Sequence, residues 1–262
     1  MTKRLLEGKV GLIMGLANDK SISWGIAQTL FKYGAKIIIS YQDAILLKRI
    51  RPLAEQLDNS LIIECDIKKQ ESIDKTFSTL KEKYGKIDFL VHAIAFSDKN
   101  ELKGRCIDTT KDNFLNTMDI SCYSFMSVAK SAAEIMLDGG SIITLTYYGA
   151  EKVIPNYNVM GIAKAALEAS VRYCAADLGA NNIRVNAISA GPIRTLAAAG
   201  IGNFRSMLKF NETNSPLQKN VTIFDVGKAA LYLISDLASG VSGEIHHVDA
   251  GYNILGSPRN IH

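Results

Sequence analysis

VGLIMGLANDKSISWGIA, residues 10–27, reads as a strand, a glycine turn and the start of a helix. Val10 to Met14 is an apolar run of strand length. Gly15 lets the chain turn tightly where that strand ends, and a helical pattern continues through Ile26, Leu30 and Phe31. Gly25 predicts a helix lying close to the sheet or to a cofactor. The interval between the two glycines holds Ser21 and Ile22, where backbone N–H groups and a hydroxyl suit a pyrophosphate. It is not the G-x-G-x-x-G pattern, and glycine turns of this kind also occur without any ligand.

Working outward, six more strands are expected at Ala35–Ser40, Leu61–Glu64, Ile87–His92, Ile142–Leu145, Asn182–Ile188 and Glu244–Val248. Helical patterns separate them: Ala44–Leu57, interrupted by Pro52, then Lys69–Tyr84, Phe114–Leu137, Tyr157–Leu178 and Val226–Leu237. Strictly alternating strands and helices predict an α/β fold of the doubly wound Rossmann type. Its sheet would have seven parallel strands with helices on both faces. A ligand crevice is then expected where the strand order reverses, near Gly15 and Ile94. The reading is one domain over residues 1–256, with a lid near 195–216 and a flexible tail at 257–262.

The chain has 262 residues, 47% of them hydrophobic and 21% charged, enough for one large buried core. Its 30 basic and 26 acidic residues give a net charge of +4 without any basic block, which argues against nucleic-acid binding. Lys3 and Arg4 before the apolar run at 10–17 superficially resemble a signal peptide, but Glu7 and Lys9 interrupt that pattern. No apolar run approaches bilayer length, so no membrane insertion is expected. Cys65, Cys106, Cys122 and Cys174 are too far apart for a zinc site or a redox dithiol, and read as reduced thiols of a cytoplasmic protein. His92 reads as a satisfied strand-end residue, and no metal site is expected.

The candidate site residues lie at strand ends, which face the crevice in such folds. Gln42 follows the second strand; its neutrality, with no Arg or Lys before Lys48, leans towards NADH over NADPH. Asp66 ends the third strand, where it could accept from an adenine amino group or cap the next helix. Tyr147 directly follows the fifth strand. Tyr157 and Lys164 are seven residues apart, about 10 Å and two turns along one helix face. A neighbouring cation stabilises a phenolate, and Lys164 is the nearest candidate. Alternatively, both decorate an amphipathic helix. Between Ala197 and Pro216, Ile201, Phe204, Met207, Leu208 and Phe210 are interspersed with Arg205 and Lys209, which suits a lid over an apolar substrate or an ordinary surface helix.

Four stretches together carry a resemblance: GLANDKSISWGIA at 15–27, HAIAF at 92–96, the seven-residue interval from Tyr157 to Lys164, and IRVNAISAGPIRTLAA at 183–198. From Lys9 to about Gly251 the chain resembles the short-chain dehydrogenase/reductase family. Within it, the chain resembles the divergent NADH-dependent enoyl-acyl-carrier-protein reductases of bacterial type II fatty-acid synthesis. Ordinary members place the tyrosine and lysine four apart. The resemblance implies that Gly15, Ser21, Ile22, Gln42, Asp66, Ile67, Ile94, Lys164 and the run Ile193, Arg194, Thr195, Leu196, Ala197 line an NADH site. It implies that Tyr157 is the main active-site tyrosine, that Tyr147 is the second, and that Ser97 lies near the thioester. It further implies an acidic acyl carrier protein as partner, which Arg194, Arg205 and Lys209 would guide, and a homotetramer. Ala93 and Ala95 depart from the Ser and Gly common in relatives. A 3-ketoacyl or alcohol dehydrogenase, a non-catalytic cofactor-binding regulator and a nucleotide-binding transferase are the rival readings on the same fold.

Overall fold

The computed structural model describes residues 4–58, 60–196, 198, 202 and 204–258. Seven strands form one sheet: β1 Val10–Ile13, β2 Lys36–Tyr41, β3 Leu61–Glu64, β4 Phe89–His92, β5 Gly140–Thr146, β6 Ile183–Ala190 and β7 Ile245–Val248. All pairings are parallel, and the spatial order is β3-β2-β1-β4-β5-β6-β7. The order reverses between β1 and β4, where Gly11 to Ile13 pair with Phe89 to Val91. That places the crevice at the ends of these two strands, as the sequence predicts.

The strands are apolar throughout because both faces are covered. Ile37, Ile39, Phe89, Val91 and Ile143 pack to one side with Trp24, Ile26, Leu30, Val226 and Leu233. Their alternate neighbours Leu12, Ile38, Leu90 and Ile142 pack to the other, with Phe77, Phe125, Val128, Leu167 and Val171. Each fully buried Ile or Leu of this kind contributes roughly 1.5–3 kcal/mol. The covering helices are α1 Ile22–Lys32, α2 Ala44–Glu55, α3 Gln70–Tyr84, α4 Lys111–Met118, α5 Ser124–Ala133, α6 Asn158–Leu178, α7 Phe204–Asn214 and α8 Ile223–Ile234.

Three expectations change. Pro52 does not interrupt α2, which runs through it; it sits on the exposed side near the end, where the carbonyl that loses its partner can face water. The single helix expected over 114–137 is α4 and α5 joined by a π-helical turn at Asp119–Tyr123. Gly25 packs against α8 and not the sheet: a side chain there would run into the Ile223 backbone, and one at Gly227 would lie 2.6 Å from the Gly25 carbonyl. Two glycines thus let α1 and α8 cross with their backbones nearly touching. The tail from Arg259 onward lies outside the described residues.

Candidate active site

The nucleotide end of the crevice is built from bare backbone. Gly15 has φ of +82°, and a Cβ there would collide with the Ala93 carbonyl, so the ends of β1 and β4 meet without side chains between them. The loop that follows folds around Ser21, whose Oγ accepts from the N–H groups of Ala17 and Asn18, each at 3.1 Å. Ser21 is the N-cap residue of α1 yet its side chain makes no cap, so the first N–H groups of that helix are left for a ligand. Ser23, which sequence reasoning passed over, ties its hydroxyl to the Gly15 carbonyl at 3.2 Å.

At the ends of β2 and β3 the side-chain amide of Gln42 donates to Asp66 at 3.4 Å. Asp66 does not cap α3, whose N-cap residue is Lys69. It heads a turn, accepting from the Lys68 N–H at 3.2 Å while its own N–H donates to Ser72 at 2.9 Å. Ile67 and Ile94 are half-buried against the apolar layer beneath. A glycine cradle, an uncapped helix start and a Gln–Asp pair at the neighbouring strand ends together fit the pyrophosphate, ribose and adenine of a dinucleotide.

The other end holds the two phenols. Tyr157 is the N-cap residue of α6, so its aim is set by packing more than by helical periodicity. Its ring lies against Gly149, where a Cβ would sit 2.5 Å from the ring carbon Cδ1. Asn156 and Asn158 on either side have φ of +61° and +35°, left-handed values that asparagine tolerates. The rings of Tyr147 and Tyr157 meet edge to face at 5.1 Å. The Tyr147 hydroxyl donates to the Met207 sulfur at 3.5 Å, which brings α7 over the pair.

Lys164 is 6% exposed and donates to the Leu145 carbonyl at 2.8 Å. Burial pushes its ammonium down to about 8, against the field of Cys122 and Glu168, which raises it. Tyr157 is 7% exposed, and burial pushes its phenol up; Tyr147 and Glu168 act in the same direction. Burial likewise pushes Tyr147 up to about 12. The idea that Lys164 makes a phenolate of Tyr157 is therefore corrected: desolvation of the charged form dominates, and Tyr157 stays a neutral hydroxyl, a hydrogen-bond donor.

Ser97 is turned into α4. Its hydroxyl accepts from Thr117 at 2.9 Å and from Asn113 at 3.3 Å, and both partners are buried. His92 is fully buried between Thr144 at 3.2 Å and Ser124 at 2.9 Å, and burial, reinforced by Lys164, pushes it down to about 3, so it is neutral. Beyond β6, Ile193 is half-buried and Arg194 exposed, Thr195 accepts from the Ala198 N–H at 3.1 Å, and Leu196 is exposed. This segment and α7 enclose a cavity of about 360 Å³ that Arg194, Arg205, Leu208 and Lys209 help to line. Phe204 and Met207 are half-buried on α7. Ala197 and Ile201 lie outside the described residues.

Comparison with known proteins gives one answer. The family model described as enoyl-(acyl carrier protein) reductase matches residues 15–253. Enoyl-acyl-carrier-protein reductase (NADH) 1 of Rhizobium meliloti is 62% identical over 96% of this chain and 93% of its own. The NADH enzyme FabI of Rickettsia typhi is 59% identical over 99% of both chains. Among solved structures, the enoyl-acyl-carrier-protein reductase of Anaplasma phagocytophilum in complex with NAD superposes with a TM-score of 0.95, at 56% identity over 99% of both chains. That of Bacillus cereus with NADP⁺ and an indole naphthyridinone gives 0.96, at 50% identity over 97% of this chain and 100% of that one.

Proposed function

This chain belongs to the enoyl-(acyl carrier protein) reductase family, and from that premise we propose that Tyr157, Tyr147 and Lys164 carry its chemistry. The activity is NADH-dependent enoyl-acyl-carrier-protein reduction, the saturation of an enoyl thioester in fatty-acid synthesis. Bound NADH supplies the hydride, delivered to the β-carbon of the trans-2-enoyl group. Negative charge then develops on the thioester oxygen, and the enolate takes a proton from water at its α-carbon to complete the saturation. The Tyr157 hydroxyl donates a hydrogen bond to that oxygen, acting as a one-donor oxyanion site in a dry pocket. Lys164 holds the nicotinamide ribose hydroxyls and adds positive field. Tyr147 sets the Tyr157 ring and, through Met207, the position of α7.

The observation that supports this most is the half-buried Tyr147 ring meeting the buried Tyr157 ring at 5.1 Å, with the buried Lys164 ammonium held at the end of β5 by the Leu145 carbonyl. A keto or alcohol substrate would call for a hydroxyl four residues before Lys164. That position is Met160, an apolar residue in the small core around Tyr157. The discriminating assay follows NADH oxidation with crotonyl and acetoacetyl thioesters. Consumption with crotonyl thioester alone is the expected result; consumption with acetoacetyl thioester alone would replace the reading.

Gly15, Ser21, Ile22, Gln42, Asp66, Ile67, Ile94 and residues 193–196 form the NADH site in this reading, and Phe204 and Met207 face the acyl chain from α7. The acyl carrier protein is acidic, and Arg205 and Lys209, both exposed on α7 beside Arg194, are the groups that meet it. Exposed Phe114, Leu115, Tyr123, Met126, Ile162 and Tyr173 on and between α4, α5 and α6 support a homotetramer. Among the described residues no helix is long and apolar enough to cross a membrane. All four cysteines are free, which supports a reducing cytoplasmic location.

A further inference from the structure

A lysine and a glutamate are both buried on α6, each bonded to β5 and not to the other. Lys164 and Glu168 are 6% and 7% exposed, and a spacing of four residues puts them on one helix face. Their partners are consecutive residues of β5: Lys164 donates to the Leu145 carbonyl at 2.8 Å, and Glu168 accepts from the Thr146 hydroxyl at 2.7 Å. A buried carboxylate without a function is costly, and the chemistry described above makes no use of Glu168.

We propose that Glu168 is a positioning residue that keeps Lys164 in its ammonium form, with the Thr146 hydroxyl holding the carboxylate turned along the helix face. The inference rests on the reading of Lys164 as the ribose-binding group. The charged and titratable groups around the pair are known. His92 on β4, Cys122 in the π-helical turn and Glu168 face Lys164. Glu151, His247 on β7 and Arg172 on α6 face Glu168, as does Tyr157. His92 is neutral, and of the two neighbours that favour the Lys164 proton Cys122 acts the more strongly; Glu168 is the carboxylate of the pair. Glu168 also acts on Tyr157 in the direction that keeps the phenol protonated. One carboxylate thus favours the proton on both the ribose-binding and the oxyanion-binding group.

The test is NADH binding, followed by fluorescence from about pH 6.5 to about pH 10, a range that spans the titration of a buried lysine. The full-length protein is compared with Glu168→Gln, Glu168→Asp and Lys164→Ala. In the unaltered protein, affinity falls as pH rises through the loss of the Lys164 proton. Glu168→Gln keeps the shape and an acceptor for Thr146 but removes the charge, and its fall is expected about one pH unit lower. Glu168→Asp keeps the charge and restores the original midpoint, which a purely structural role would not do. An unmoved midpoint in Glu168→Gln, or a uniform loss at every pH in both variants, overturns the proposal. Should Glu168→Gln not fold, Glu168→Ala with Thr146→Val removes both buried partners together and gives the same readout. Lys164→Ala separates the two readings: weak binding without the pH-dependent fall upholds Lys164 as the ribose ligand. Affinity like that of the unaltered protein overturns that assignment, and the proposal with it.

Discussion

The edge of one active-site phenol meets the face of the other: the rings of Tyr147 and Tyr157 are 5.1 Å apart at an interplanar angle of 77°. The contact leaves Tyr157 a single tightly held orientation, backed by Gly149 and reached from the strand end by Tyr147. A preorganised donor of this kind contributes because no reorganisation is needed when charge appears on the substrate.

Tyr157→Phe removes the donor and keeps the ring contact. Turnover should fall about a hundredfold, equivalent to about 3 kcal/mol, with NADH affinity nearly unchanged. Steady-state rates on an enoyl thioester, set beside a fluorescence titration, check both halves. An unaltered rate would remove Tyr157 from the mechanism.

Gly149→Ala tests the backing of that ring. The added methyl would sit 2.5 Å from Tyr157 Cδ1, so ring or loop must shift. Overpacking of this sort costs about 1–3 kcal/mol. The expected outcome is a lower melting temperature with a drop in kcat and little change in NADH binding. Normal kcat in the folded variant would show that ring placement tolerates the shift.

His92 supplies a pH prediction. Burial, with Lys164 adding to it, pushes the folded-state value down to about 3 from an ordinary 6.5. Between those values the unfolded chain binds a proton that the folded chain does not, so stability falls as pH drops. The slope is about 1.4 kcal/mol per pH unit. Above pH 6.5 the effect is fully absent. Urea denaturation at about pH 7 and about pH 5 should therefore show a smaller loss in His92→Gln than in the unaltered protein. Equal losses would mean that His92 titrates alike in both states.

Charge reversal on α7, Arg205→Glu with Lys209→Glu, should raise KM for enoyl groups on the acyl carrier protein severalfold. The same variant should leave KM for a short enoyl thioester without the carrier unchanged. A rise on both substrates would point to lid damage, and no rise on either would place the carrier elsewhere. Lys209 makes an ion pair with Glu212 at 3.5 Å, so Glu212 is the control position.

The sheet was legible because β1, β2, β4 and β5 alternate between two buried faces, giving unbroken apolar runs bounded by glycine turns. The interval from Tyr157 to Lys164 was legible as a helix start, with Tyr157 at the N-cap and Lys164 inside α6. What stayed hidden depends on contacts between distant residues. Thr146 and Glu168 are 22 positions apart, and Ser97 and Thr117 are 20 apart; neither pair leaves a periodic trace. Gly149 carried no signal in the sequence because only the folded chain brings the Tyr157 ring against it. Gly25 misled for the same reason, its partner being α8, roughly two hundred positions later. The burial that keeps Tyr157 a hydroxyl was not legible, because spacing reveals a neighbouring charge but not the depth of burial.

The glycine crossing of α1 and α8 also bears on how the walls of the cleft are held. Gly25 admits the Ile223 backbone and Gly227 admits the Thr29 hydroxyl and the Gly25 carbonyl, so α1, with the Gly15–Ser21 loop before it, is seated closely on α8. The opposite wall is fixed differently: α7 is tied by the Met207 sulfur to Tyr147, by the Phe210 ring to Tyr252 and by the Leu208 carbonyl to the Asn220 amide. In the proposed reading, the coenzyme rests where backbone meets backbone, and the fatty chain against a wall held by side chains.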